Sequence, residues 1–482
     1  MPTDGLRDSP IPMSLPDGLP TRERHRAMVV IILGITLAVL DGTIVNLALP
    51  AVARDLQASA AHAIWVVNAY QVALLTLLLP CATLGDLIGY RKVYLGGLVL
   101  FTLGSLACVM ADSLLGLAIA RGVQGIGGAG LMGVNGALVR RIYPRELLGR
   151  GVALNSVMVA TASVAGPTVA AAILSVASWQ WLFALNLPLG VLVLALGWKA
   201  LPENAGPPPA GARLSLVDVA LNGAMFALVV LGADALGVGV GKAGDPAGLV
   251  RGGLLLAAGV VIGIFYVNRQ RKQAVPLLPV DLLRIPVFRL SMCSSVSAFA
   301  AQMLAFVSLP FLILDGFGRS AGQTGLLMSC WPLATVVAAP LAGRLIGRVA
   351  DGLLGGIGMA CMTVGLVALA MLSAHPSNLD IAWRLAFCGF GFGLFQSPNN
   401  HTIVTSAPAQ RSGGASGMLG TARLTGQTLG VVLLAGVFSL YDPHNGHGPT
   451  VGLALAACFS IAGAVFSSLR VRHTPAAHGT AG

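Results

Sequence analysis

The stretch LDGTIVNLALP, residues 40–50, places one carboxylate inside a long apolar segment. The apolar run extends from Ala27 to about Leu49, and at about 1.5 Å per residue a helix of this length crosses a bilayer. Asp41 would then lie roughly 20 Å from the start of the run. The other acidic residues fall in tails, in loops or near segment ends. Asp41 is therefore the one carboxylate that we expect deep in hydrocarbon.

An ionisable side chain at that depth is expensive and by default indicates a functional site. Carboxylates in such places serve proton relays in pumps and transporters, because they can take up and release a proton. The alternative is a structural aspartate that is paired with an arginine or hydrogen-bonded to a neighbouring helix.

The composition identifies the class of protein. The chain has 482 residues, of which 56% are hydrophobic and only 10% are charged, with a mean hydropathy of +0.83. A soluble domain carries about 25% charged residues, so we predict an all-α integral membrane protein. The seven cysteines lie in apolar segments without a CxxC spacing, which indicates neither a disulfide framework nor a zinc site.

Fourteen apolar segments follow one another along the chain. Six precede a Pro-rich link, AGPPPAGAR at 205–213, two follow it, and six more complete the chain. The predicted segments are 28–49, 64–84, 93–111, 116–139, 151–176 and 181–200, then 216–236 and 249–268, then 287–312, 322–343, 353–373, 381–404, 416–439 and 449–469.

The charges of the loops predict the orientation. The net charge of +11 would suit a nucleic-acid partner, but most of the 29 basic residues fall on one side of this topology. Cytoplasmic loops collect Lys and Arg, so both termini are predicted to be cytoplasmic, and no nucleic-acid partner is expected. The predicted regions are a tail at 1–26, a six-helix bundle at 27–204, a linker with two extra helices at 205–286, a second bundle at 287–470 and a tail at 471–482.

A short pattern recurs between the two halves of the chain. GDLIG at 85–89 ends the second apolar segment, and GRLIG at 343–347 ends the equivalent segment of the second set of six. Parallel six-helix repeats are typical of transporters in which two halves rock around a site near the bilayer midplane. The central pair of helices is then an insertion between the two bundles.

Seven stretches along the chain carry a family resemblance. They are LDGTIVNLALP at 40–50, LGDLIGYRKVYL at 84–95, LAIARGVQGIGGAG at 117–130, AGPTVAAAI at 165–173, WQWLFALNLPLG at 179–190, GFGLFQSPNN at 391–400 and RSGGASGMLGTARLTGQTLG at 411–430. In this order they resemble the drug:proton antiporters of the major facilitator superfamily, in the branch with fourteen transmembrane helices, and the resemblance extends over nearly the whole chain. The resemblance implies a major facilitator fold, a bacterial inner membrane and transport driven by the proton motive force, without a cofactor.

The resemblance also implies a part in proton transfer for Arg121, which lies a few residues inside the fourth segment. An arginine at this depth should face a cavity or a partner, and near Asp41 its positive charge would oppose protonation of the carboxylate. The alternative is that Arg121 extends to the outer interface. We predict that Asp41 and Arg121 couple transport to protons.

Two further groups are predicted to control the conformational change. Gly85 and Gly89 permit a tight turn between the second and third segments, where Asp86 can make charge contacts with the following Arg91 and Lys92. The alternative is an ordinary hairpin with a positive charge on its cytoplasmic side. Within the fifth segment, Pro167 removes a backbone hydrogen bond, so Gly166 and Pro167 are predicted to kink the helix and shape the rocking motion.

Polar residues of the second half are candidates for the substrate cavity, or alternatively join helices through hydrogen bonds. These candidates are Gln396, Asn399, Asn400, Arg423 and Gln427.

The predicted function is proton-coupled efflux of lipophilic drugs by alternating access, with cationic compounds favoured, by a monomer in the lipid bilayer. One alternative is a dedicated exporter of a single endogenous metabolite or siderophore. A membrane enzyme is the alternative from another class, but no HExxH or GxSxG motif and no nucleotide-binding loop is present, so we predict that the chain is not an enzyme.

Overall fold

The computed structural model describes residues 18–203, 214–241, 246–273, 277–407, 412–442 and 446–473. The Pro-rich link at 205–213, most of the N-terminal tail and nearly all of the C-terminal tail lie outside the described residues. The described chain consists of α-helices with short 3₁₀ and π segments, so the all-α expectation is confirmed.

The first half contains eight helices. They are α1 Thr21–Asp55, α2 Ala60–Ala63, α3 Trp65–Ile88, α4 Tyr90–Val109, α5 Leu114–Ile142, α6 Leu148–Val176, α7 Gln180–Ala184 and α8 Asn186–Ala200. Two central helices follow, α9 Leu216–Gly241 and α10 Pro246–Gln270. The second half contains α11 Pro286–Pro310, which continues into a π-helical segment Phe311–Gly316, then α12 Ala321–Leu345, α13 Asp351–Ala370, α14 Asn378–Ser406, α15 Ser412–Leu440 and α16 His447–Leu469.

Among the described residues, 12 helical segments are long and apolar enough to cross a membrane. Helices α6 and α14 are not among them, although α6 contains the shorter apolar segment Thr161–Val176. The chain is therefore an all-helical membrane protein, and the predicted count of fourteen spans is not confirmed by length and composition.

The long helices of each half pack in the same pattern. In the first half α5 packs on α3 and α4, and α1 packs on α6 and α8. In the second half α14 packs on α12 and α13, and α11 packs on α15 and α16. The same correspondence relates the contacts between the halves, where α6 meets α12 and α15 meets α3. The two halves are thus two bundles of equivalent architecture.

The last glycine of the repeated pattern has a positive φ in both bundles. Gly89 follows α3 with φ of 109°, and Gly347 follows α12 with φ of 82°. These positive φ values strain residues with a Cβ atom, which explains why glycine ends both copies.

The central helices are attached at the boundary between the bundles. Helix α9 packs on α3 of the first bundle and on α15 of the second, and the amide of Asn222 donates to the carbonyl of Thr76 at 2.8 Å. An ion pair of 2.6 Å between Asp218 and Arg269 joins α9 to α10. The insertion therefore contacts both bundles instead of forming a separate unit.

The apolar core shows how the bundles meet. One buried cluster contains residues of both bundles, such as Leu49 and Leu309, and lies toward the end of the molecule that holds Asp55 and Asp315. We call this the closed end. Toward the opposite end, which holds the start of α1, one cluster surrounds Ile31 of the first bundle and another surrounds Phe288 of the second. The Ile31 cluster includes Leu424 as its one buried residue from the second bundle. The bundles thus share a large core at the closed end and far less at the other, which we call the open end.

Candidate functional site

The carboxylate of Asp41 and the guanidinium of Arg121 form an ion pair of 2.6 Å between α1 and α5. Both side chains are buried, with exposed fractions of 0% and 1%. The structure therefore brings together the two residues that the sequence analysis assigned to proton coupling. Arg121 does not extend to the membrane interface, so that alternative is wrong for this conformation.

Three more polar side chains complete the surroundings of Asp41. Its Oδ1 atom accepts hydrogen bonds from the amides of Gln124 and Asn186, each at 2.8 Å. The hydroxyl of Ser105 accepts a further bond from Gln124 at 2.8 Å. Gln124 and Asn186 lie in stretches that carry the family resemblance, but they were not predicted to be site residues. The feature that could have identified them is that both are amides inside otherwise apolar segments.

The guanidinium of Arg121 likewise has several hydrogen-bond acceptors. Its Nε atom donates to the carbonyl of Val66 at 3.0 Å, and Nη1 donates to Gln124 at 2.6 Å as well as to Asp41. The ring of Tyr70 lies against it, with its centroid 4.3 Å from the Cζ atom. We call the set of Asp41, Ser105, Arg121, Gln124 and Asn186 the Asp41 network. A buried ion pair with this many partners is stable only while both charges are present.

Glycines of α5 allow neighbouring helices to approach closely enough to form this network. A Cβ atom added at Gly125 would lie 2.5 Å from the Tyr70 carbonyl, and one at Gly127 would lie 2.3 Å from the Phe101 nitrogen. Alanine at either position would push α3 or α4 away. The glycine-rich sequence after Arg121 therefore fixes the depth and the partners of that arginine.

The turn between α3 and α4 differs in part from the sequence prediction. Asp86 accepts a hydrogen bond from the hydroxyl of Tyr90, while Arg91 pairs with Glu203 at 2.8 Å. Lys92 is exposed. The predicted contact of Asp86 with Arg91 is thus wrong in this conformation, because the Glu203 carboxylate at the end of the first bundle reaches Arg91 instead.

The glycine of the predicted tight turn packs closely as well. A Cβ atom at Gly85 would lie 2.5 Å from the Tyr90 ring, and Gly89 adopts the positive φ that the turn requires. Both glycines are therefore needed for the geometry of this turn, whatever part it has in gating.

Gly166 and Pro167 lie where the bundles touch. A Cβ atom at Gly166 would lie 2.0 Å from the Thr43 hydroxyl, and one at Gly325 of α12 would lie 2.6 Å from the Pro167 carbonyl. Helix α6 continues through Pro167 to Val176. The pair is thus positioned at the contact of α6 with α1 and α12.

Asn399, a predicted substrate residue, belongs to a buried network of the second bundle. Its amide donates to Ser295 at 2.7 Å, and its Oδ1 atom accepts from Arg470 at 2.8 Å. Arg470 also donates to Ser291 at 3.0 Å and has an exposed fraction of 1%. Asn399 therefore joins helices, as the alternative interpretation stated.

The other predicted substrate residues are more accessible. Gln396, Asn400, Arg423 and Gln427 are each half-buried. The Cζ atom of Arg423 lies 5.7 Å from the centroid of the Phe299 ring, and its Nε atom is buried without a hydrogen-bond partner. The side chain of Arg423 is thus available for binding at the boundary between the bundles, whereas that of Asn399 is already hydrogen-bonded.

Comparison with known families identifies the fold that carries this site. Residues 31–431 match the family model described as Major Facilitator Superfamily. The chain belongs to the Major Facilitator Superfamily. This major facilitator protein is 51% identical over 455 residues to the uncharacterized transporter YebQ of Escherichia coli (strain K12), an alignment that covers 94% of this chain and 97% of YebQ.

A more distant relative has a name that refers to drugs. The multidrug resistance protein Stp of Mycobacterium tuberculosis (strain CDC 1551 / Oshkosh) is 29% identical over 418 residues, which cover 86% of this chain and 76% of Stp. Among solved structures, a bacterial homologue of the human lysosomal transporter Spinster, in an inward-facing and unoccupied conformation, superimposes with a TM-score of 0.67 at 13% identity. That superposition covers 94% of this chain and 98% of the other, and it supports the fold alone.

Proposed function

We propose that this major facilitator transporter is a proton-coupled multidrug efflux antiporter that exports lipophilic compounds by alternating access. The observation that carries the proposal is the fully buried ion pair between Asp41 and Arg121 at 2.6 Å. A carboxylate inside a membrane transporter that can exchange its arginine partner for a proton is the group that proton coupling requires.

The coupling follows from the energetics of that pair. Protonation removes the charge of Asp41, and Arg121 is then left buried without its counter-ion. Removing one partner of a buried pair costs about 3–5 kcal/mol, so the protonated protein favours a rearranged site. A proton that crosses a potential of 100 mV supplies about 2.3 kcal/mol, which can drive the export of a substrate.

We also propose the fourteen-span topology, with both termini in the cytoplasm of a bacterial cell and the inner membrane as the location. Helices α6 and α14 have 29 residues each, or about 44 Å, and pack along helices of membrane-spanning length. With this orientation the open end faces the cytoplasm, where an exporter collects its substrate. Asp86 and Arg91 would then exchange partners during closure of this end, and Gly166 and Pro167 would allow α6 to move on α12. The transporter acts as a monomer in this proposal.

The first experiment measures substrate-induced proton movement in proteoliposomes that contain a pH-sensitive dye. Wild type is compared with Asp41→Asn and with the matched control Asp112→Asn, whose carboxylate lies in an exposed loop. The substrates are ethidium, a quaternary ammonium compound and an aryl carboxylate. Wild type and the control should couple, whereas Asp41→Asn should bind substrate without moving protons. Equal coupling by all three proteins would overturn the assignment of Asp41, and response to only one compound would favour the dedicated exporter.

A further inference from the structure

We infer that Arg423 binds the acidic group of an organic anion, so that the transported compounds include aromatic acids. The inference rests on the proposed transport function and names a substrate class for the same transporter. It differs from the preference for cations that the sequence suggested.

Arg423 lacks the partners that a buried arginine normally has. Within the described residues it makes no hydrogen bond and no ion pair, and its Nε atom is fully enclosed. Its described contact is with the face of Phe299, at 5.7 Å. By contrast, Arg121 and Arg470 are each held by several oxygen atoms. A desolvated Nε–H without an acceptor is unfavourable, and an incoming anion that accepts from it would remove that cost.

The charges near Arg423 favour an anion over a cation. Asp41 and Arg121 form an ion pair of 2.6 Å and neutralise each other. Arg423 has no such counter-ion among the described residues, so its positive charge is uncompensated. Asp41 is already engaged by Arg121, Gln124 and Asn186, so its carboxylate is not available to a cationic substrate.

Further polar atoms without partners occur on the helices that face this boundary. Each is buried and lacks a hydrogen-bond partner within the described chain. They are Asn46 Oδ1 on α1, Asn68 Oδ1 and Nδ2, the Tyr70 hydroxyl and Gln71 Oε1 on α3, and Thr428 Oγ1 on α15.

The register of α15 on α3 brings several of these atoms to one level. A Cβ atom at Gly417 would lie 3.0 Å from Leu79, and one at Gly420 would lie 3.1 Å from Leu78. When this antiparallel register is continued toward the closed end, Thr428 falls at the level of Asn68 and Gln71. Unpartnered donors and acceptors at one level between two bundles are typical of a binding site that a polar ligand completes.

The geometry also indicates the chemical class of the ligand. A guanidinium presents parallel N–H donors that match the two oxygens of a carboxylate, or equally those of a sulfonate. Phe299 beside it packs edge-to-face on Phe392 at 5.4 Å, which gives the site an aromatic wall. An aromatic ring that carries one oxyanion satisfies both features.

The test uses four naphthalene derivatives that share one ring system. Binding of 2-naphthoate, 2-naphthalenesulfonate, 2-naphthamide and trimethyl-2-naphthylammonium is measured by calorimetry on the full chain in nanodiscs, without a proton gradient. The variants are Arg423→Gln, Arg423→Lys and the control Arg251→Gln, which removes an exposed charge from α10. Wild type should bind an anion most tightly, and the two anions together show whether a carboxylate or a sulfonate fits better.

Arg423→Gln should weaken binding of the anions by roughly tenfold or more and leave the amide unchanged, because only the charge-assisted hydrogen bonds are lost. Arg423→Lys should be intermediate, since it keeps the charge and loses the planar fork, and Arg251→Gln should match wild type. Tightest binding of the ammonium compound, equal loss for all four ligands, or no binding of either anion would each overturn the inference.

The result of this binding test can be distinguished from the result of the test for proton coupling by Asp41. Arg423-dependent anion binding with unchanged proton movement in Asp41→Asn would reject the coupling role of Asp41 and keep the inference. Proton coupling that depends on Asp41, without a preference for anions, would keep the coupling role of Asp41 and reject the inference about Arg423.

Discussion

Arg121 and Arg423 are two membrane-embedded arginines on opposite bundles, and they differ in how their charge is satisfied. Arg121 has a carboxylate, a backbone carbonyl and an amide oxygen within 3.0 Å. Arg423 has only the face of Phe299, at 5.7 Å, within the described residues. The same side chain therefore serves as a structural counter-ion in one bundle and is left available in the other.

The position of a charge within a hydrophobic segment therefore does not determine its role. A fully paired charge stabilises one arrangement and resists change, so it can act as a switch only when a proton replaces its partner. An unpaired charge contributes little to stability and is free to bind a ligand. Four substitutions test this comparison.

The largest effect is expected for Arg121→Gln. Asp41 would lose its counter-ion while it stays buried, and this should lower the free energy of unfolding by about 3–5 kcal/mol. Thermal unfolding in detergent measures the loss. The double variant Asp41→Asn with Arg121→Gln should recover much of it, because no buried charge is left unpaired. A double variant as unstable as the single one would show that Arg121 acts through packing and not through its charge.

A smaller loss is expected for Asn186→Leu. The substitution removes the 2.8 Å hydrogen bond to Asp41, which should lower stability by about 1–3 kcal/mol. The matched comparison is the same substitution in the Asp41→Asn background, where the charge-assisted part of the bond is absent. Equal losses of stability in the two backgrounds would show that Asn186 does not stabilise the charged carboxylate of Asp41.

Arg423→Gln is expected to change the free energy of unfolding by no more than about 1 kcal/mol, because the described structure gives Arg423 no partner to lose. The same thermal scan should even find a small gain, since an uncompensated cation is removed from the boundary. A loss of stability as large as that of Arg121→Gln would mean that both arginines are structural. The proposed difference between them would then be wrong.

The smallest effect is expected for Arg54→Gln at the closed end. Arg54 forms an ion pair of 2.8 Å with Asp315 that joins the bundles, and the side chains are 60% and 12% exposed. Because solvent and salt reach the guanidinium, we expect the pair to contribute about 0–1 kcal/mol, so unfolding in 1 M salt should not distinguish the variant from wild type. A large loss that persists at high salt would show that exposure is a poor guide to the value of an ion pair in this protein.

Much of the fold was predictable from the sequence, because burial in lipid requires long apolar helices. Each of the fourteen predicted segments overlaps a helix of the structure, and several helices extend past the apolar limit, as α1 does from Thr21 to Asp55. Among the described residues, nevertheless, only 12 helical segments are long and apolar enough to cross a membrane, because polar residues lower the hydropathy of α14 and the apolar part of α6 is the shorter segment Thr161–Val176. Hydropathy therefore locates helices better than it counts spans.

The site was predictable only in part. Asp41 and Arg121 were identified because charges are rare in hydrocarbon, but amides such as Gln124 and Asn186 are common enough in such segments to give no clear signal alone. Arg91 was predicted to contact Asp86 in the same turn, and Asn399 was predicted to line the substrate cavity, but their partners Glu203 and Arg470 are distant in the chain. Local sequence does not reveal such pairings.

The apolar helices, the repeated architecture and the deep carboxylate can be predicted from local composition and the cost of placing charge in lipid. Which charges are paired cannot be predicted in this way. The approach of α5 to α3 and α4 through glycine contacts places Arg121 on Asp41, while the meeting of α15 with α11 leaves Arg423 against Phe299. Pairing depends on distances of a few ångströms between helices, and these are set by packing across the whole molecule.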